Sequence, residues 1–315
     1  MNRKVFFIVV FVLVLALGVE YIVLTGVAKQ TANQTPAAQA PLDQPLVEQT
    51  PVQLSATPAT QIPIPGSLPF ELPVSMGNLG PRLVAAGVID LERFIQLYDS
   101  VGSPLTAEEQ ALLRNGSNSN LVVERSNAHF LLNLFWALGL ANNNRILTKG
   151  QMVTVSEGQI ERFASTGGWT IGTRGITELY ASQDLISLTS EQQLHLEHVA
   201  HKVFRPCCNN PTDFPDCNHG MAMLGLLELL AASDATEDEM FSAARAMNAV
   251  WFPAQSTEIA LYAKYALNTS WDDADPQDLV GSEVASGSGF QNVHQWLFAN
   301  NLLPTIPAGG NGCGL

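Results

Sequence analysis

Two stretches constrain this chain more than any others. FLLNLFWALGLA (Phe130 to Ala141) and MAMLGLLELLAA (Met221 to Ala232) are apolar nearly all the way round a helical wheel. A helix without a polar face has nothing to offer water, so both predict the centre of a helical bundle. Each is too short and too interrupted to read as a membrane span, which needs about 20 residues.

The surrounding sequence is a series of helix starts. Ser/Thr-x-x-Glu/Gln boxes occur at Thr106/Glu109, Ser156/Gln159, Thr189/Gln192 and Thr236/Glu239. In each, the hydroxyl can accept from the third backbone N–H while the Glu or Gln reaches back to the cap's own N–H. Asp275-Pro276 is a fifth start, with proline at the first helical position and acid at the positive end of the dipole. Strand alternation is scarce, and QMVTVS (Gln151 to Ser156) is the one candidate. The expected fold class is all-α, a single helical-bundle domain over residues 77–304, followed by a Gly-rich tail, 305–315. With 46% hydrophobic and only 14% charged residues, such a domain has ample material for a core.

The N-terminal part has a different character. Arg3 and Lys4 precede an apolar run from Val5 to Leu17 that resumes from Tyr21 to Ala28. Taken together, residues 1–28 predict a signal anchor, with a cleaved signal peptide as the alternative. The basic residues ahead of the span orient it with the N-terminus cytoplasmic and the rest extracytoplasmic. On this reading the partner is the membrane, contacted through the N-terminal helix, and the location is the cell membrane, single-pass. Residues 29–76 are rich in Gln, Pro, Ala and Thr with almost no aromatic residue, which predicts a disordered stalk. The net charge of −14 and pI near 4.7 argue against nucleic acid, whose phosphates require a basic surface.

The chemistry concentrates in RPCCNNPTDFPDCNHGMAM, Arg205 to Met223. This stretch holds three of the chain's four cysteines, one of its six histidines and two methionines. Pro206 ends the preceding helix and the next begins near Asn218, so the cysteines sit on an inter-helix loop. With Asn218 as the cap, Cys217 stays outside the helix, the condition for sharing an ion with His219. Cys207, Cys208, Cys217 and His219 form a three-sulfur, one-nitrogen set suited to tetrahedral zinc. Met223, one turn beyond His219, makes copper the rival, because soft ligands select Cu(I). Adjacent Cys207 and Cys208 would both reach one metal only with a strained backbone. Two alternatives stand beside the metal. A disulfide between Cys217 and Cys207 or Cys208, leaving a partner for Cys313, would staple the loop of an interaction module. A reactive thiol at a helix N-terminus, beside His219, would serve a Cys/His-dependent enzyme.

Other motifs carry less. His195, His198 and His201 share a helical stripe among charged residues, and their spacing departs from the His-Glu-x-x-His of zinc peptidases. SWDDADPQD (Ser270 to Asp278) lacks the glycine and terminal glutamate of a calcium loop and reads as a helix cap. STGGWTIGTRG (Ser165 to Gly175) lacks the Gly-Lys-Ser/Thr of a phosphate loop and reads as a turn packing Trp169. Asn127, Asn133 and Asn142 to Asn144 read as caps and helix stops.

Overall fold

The computed structural model describes residues 68–303. The chain enters as strand β1 (Phe70–Gly77) and a short helix (Leu79–Ala85), followed by α1 (Leu91–Ser100) and α2 (Ala107–Asn115). Strand β2 (Ser117–Val123) then pairs antiparallel with β1, placing Phe70 opposite Val123 and Ser75 opposite Asn120. The central helix α3 (Ala128–Ala141) comes next, and short helical turns lead to α4 (Ser190–Lys202). Beyond the cysteine loop lie α5 (Asn218–Ala232), α6 (Glu237–Trp251), α7 (Pro253–Tyr265) and α8 (Gly287–Ala299). The described region is therefore mostly helical, with one two-stranded sheet.

The two apolar stretches are the core helices α3 and α5, and they pack on each other. Two glycines allow this. A Cβ at Gly139 would lie 2.2 Å from the carbonyl oxygen of Met221, and one at Gly225 would lie 2.3 Å from that of Phe135. The helices thus meet backbone to backbone, and everything from His219 to Ala231 is buried. Helices α4 and α6 flank this pair. Helices α7 and α8 build a smaller apolar cluster around Ile259, Ala263, Val293 and Leu297.

Local sequence explains most boundaries. The boxes at Thr106, Thr189 and Thr236 all form, with reciprocal side-chain to backbone bonds at the starts of α2, α4 and α6. Asp275 caps its short helix by accepting from the Gln277 N–H at 2.9 Å. Ser156 forms no box; it ends a helix, its hydroxyl donating to the Val153 carbonyl at 2.7 Å. Asn142 ends α3, and Asn144 caps the next helix by accepting from the Ile146 N–H. Asn133, by contrast, lies within α3, buried and donating to the Tyr98 hydroxyl.

Several expectations need correction. The linker expected to run to residue 76 loses its last residues to β1, where Leu72, Val74 and Met76 are buried. Their period of two marks a half-buried strand, and Pro73 falls between them on the exposed side, tolerable in an edge strand. Conversely, Gln151–Ser156 is helical, burying Met152 and Ser156 four residues apart. The membrane expectation is corrected too: no helix among the described residues is long and apolar enough to cross a membrane. The most apolar ones, α3 with 14 residues and α5 with 15, extend only about 21–23 Å and bury their surfaces on each other. Membrane partnership and a single-pass cell-membrane location are therefore not supported. The anchor segment 1–28, the linker up to residue 67 and the tail from residue 304, including Cys313, lie outside the described residues.

Candidate metal centre

The cysteine loop takes its shape from backbone bonds to three separate parts of the fold. Val203 caps α4, and the chain doubles back so that Thr212 N–H donates to the Val203 carbonyl and Asp213 N–H to that of Ala200. The far side is fastened by Gly287 N–H to the Cys208 carbonyl (2.8 Å) and Ser288 N–H to Asn209 Oδ1 (2.7 Å). Ser165 N–H holds the Asp216 carbonyl at 3.0 Å. The loop is thus tied down at both ends and in its middle.

Cys217, rather than the expected Asn218, is the N-cap of α5. Its sulfur takes the capping role, accepting from the Gly220 N–H at 3.3 Å. Cys217 therefore lies outside the helix, and its sulfur faces the positive end of the α5 dipole, where a thiolate is favoured.

Folding brings three sulfurs into a near-equilateral triangle. Cys207 Sγ lies 3.8 Å from Cys208 Sγ and 3.8 Å from Cys217 Sγ, and Cys208 and Cys217 are 3.6 Å apart. All three are free thiols. Among the described residues they form the group able to hold a metal ion, their ligand atoms within 4.8 Å of one another. Neither Cys207 nor Cys208 takes a positive φ.

Beneath the triangle lies a residue that sequence reasoning treated only as the edge of the loop. Arg205 is 0% exposed. Its Nη1 donates to Thr212 Oγ1 (3.0 Å), and its Nη2 to Asn210 O (2.9 Å) and Cys208 Sγ (3.1 Å). Gly220 makes room, since a Cβ there would come within 2.8 Å of Nη2. No carboxylate forms an ion pair with Arg205 among the described residues. A buried charge requires an opposite one close by, and here the sulfurs supply it. Burial alone would lower the Arg205 pKa, but the negative potential of Cys217, Cys208 and Cys207 outweighs it, and the net shift is upward.

The thiols are unequal. Hydrogen bonds from Cys207 and Cys217, with Arg205 adding to them, hold Cys208 far below the usual thiol range. Cys207 is pushed up by its bonds to Cys208 and Cys217 and by burial. Cys217 is drawn down by Cys207 but raised on balance by Cys208 and burial. Cys208 is thus the sulfur on which negative charge is most favoured, with the Arg205 guanidinium at 3.1 Å. Asp216 is adjacent in sequence, its Oδ2 accepting from Asn210 Nδ2 (2.8 Å), and burial raises its pKa.

Two expected ligands are placed elsewhere. His219, in the first turn of α5, packs its ring on Phe252 at 4.5 Å and near Trp251 at 5.9 Å. Its Nδ1 is 3.1 Å from Asn218 Oδ1, and burial, followed by the charge of Arg205, lowers its pKa to about 4. It stands outside the three-sulfur group. Met223, one turn further, is wholly buried in the apolar core.

The remaining motifs resolve as structure. His198 pairs with Glu237 at 2.7 Å and His201 with Asp213 at 2.8 Å, so the histidine stripe is divided between carboxylates. Trp169 is buried, donates to the Val88 carbonyl and meets Trp136 edge-on at 5.0 Å. No protein-family model matches the chain, and neither a curated protein nor a solved structure shows significant similarity to it.

Proposed function

We propose that Cys207, Cys208 and Cys217 hold one transition-metal ion, zinc or copper, and that binding this ion is the role of the loop. The observation that carries the reading is the sulfur triangle over a buried guanidinium. Zinc binds cysteine sulfur at about 2.3 Å, which places the sulfurs of a tetrahedral site about 3.8 Å apart. The spacings here are 3.6–3.8 Å. Soft thiolates equally suit Cu(I). Arg205 offsets part of the charge that three thiolates would bring into a half-buried site.

Elemental analysis of the full-length protein, purified under reducing conditions without chelator, tests the proposal. About one equivalent of zinc or copper per chain is expected, falling at least tenfold in Cys208→Ser and Cys217→Ser. Wild-type protein that retains no stoichiometric metal after incubation with either ion, while denaturing thiol titration finds its cysteines reduced, overturns the reading.

A further inference from the structure

We infer that the three-sulfur centre keeps a fourth coordination position open toward solvent, and that a small exogenous thiol binds there as its thiolate. The inference rests on the metal reading above and narrows it to a tetrahedral divalent ion.

The spacing supplies the first argument. Sulfurs 3.6–3.8 Å apart match a face of a tetrahedron built on 2.3 Å bonds. A planar three-sulfur site with the same bond length would spread them to about 4.0 Å. A tetrahedral ion on this face has one vertex left.

Among the described histidine, cysteine, aspartate and glutamate side chains, none joins the three sulfurs as a fourth ligand, and His219, two residues beyond Cys217, is held on Phe252 and Asn218. Arg205, wholly buried and seated against Gly220, donates to Cys208 Sγ from within the fold. All three cysteines, by contrast, keep partial exposure. Sites closed by four protein ligands are structural, whereas a vacant position admits water or a substrate.

The donor follows from charge and softness. Three thiolates, a divalent ion and the Arg205 guanidinium are together neutral, and the α5 N-terminus adds about half a positive charge. An anionic donor is therefore not repelled. An ion selected by three thiolates favours another soft donor over water. When the thiol binds, its S–H bond breaks and the proton passes to bulk water. The bound water leaves, a metal–sulfur bond forms, and no electrons are transferred; coordination is what deprotonates the thiol.

Cobalt(II) is a spectroscopic stand-in for zinc. Full-length reduced protein, freed of reductant anaerobically and loaded with one equivalent of cobalt, is titrated with 2-mercaptoethanol and followed by absorbance. The sulfur-to-cobalt charge-transfer band is expected to rise saturably by roughly a third, as three sulfur bonds become four. The visible bands should keep tetrahedral intensity. A spectrum that does not respond overturns the open position, and a response that appears only in His219→Ala assigns the vertex to His219 instead. Loss of the cobalt bands, meaning that the thiol strips the ion, also overturns it. Failure to bind cobalt at all defeats the metal reading itself, so the two failures are distinguishable.

Discussion

Glu228 sits in the middle of α5 with no exposure at all. Its Oε2 accepts from Asn142 Nδ2 at 3.1 Å, and its Oε1 has no partner. Burial raises its pKa well above the usual carboxylate value, and the Asn142 bond opposes this only in part. The folded protein therefore keeps a proton that the unfolded chain releases above about pH 4.3. With the folded state binding more protons, stability is greatest below that pH and falls as pH rises, until the folded group itself ionises. One proton sets the steepest slope at about 1.4 kcal/mol per pH unit. Glu228→Gln mimics the protonated acid in shape and can still accept from Asn142. Urea denaturation of both proteins from pH 5 to 8 isolates the effect, since other titrating groups are shared. The variant's advantage should be positive and grow with pH at up to that slope. A constant difference across the range would refute a protonated Glu228 in the fold.

Gly225→Ala places a methyl 2.3 Å from the Phe135 carbonyl oxygen, so the helix pair must separate. A loss of about 1–3 kcal/mol, read from the urea midpoint, is expected. Arg205→Met leaves the sulfur triangle without its buried cation; metal affinity should fall at least tenfold in a competition titration with a chromophoric chelator. Thr236→Ala removes the α6 capping box and should cost about 1 kcal/mol without changing metal content, which separates stability from site effects.

Legibility in the sequence differs by element. The capping boxes at Thr106, Thr189 and Thr236 are legible because each is satisfied by residues three apart, whatever the rest of the chain does. Ser156 has the same pattern but ends a helix, since its hydroxyl finds the Val153 carbonyl instead. Strand β1 is hidden because its partner β2 lies some forty residues away and Pro73 interrupts its local signal. In the site, Cys207, Cys208 and Cys217 are legible from clustering, but His219 and Met223 join them by spacing alone. The signal for Arg205 is a charged residue directly before Pro-Cys-Cys, which acquires meaning only when its burial is known.

From the residues alone it follows that the globular region is mostly helical, where several helices begin, which two lie at the centre, and that three of the four cysteines share a loop outside those helices. These properties come from local hydrogen bonding and apolar periodicity, which act over a few residues. The closed fold is needed for the rest: α3 and α5 touch at Gly139 and Gly225, three sulfurs meet, and Arg205 lies beneath them. It also turns His219 onto Phe252. Direction and burial of a side chain depend on which distant surfaces close around it, and no local pattern encodes that.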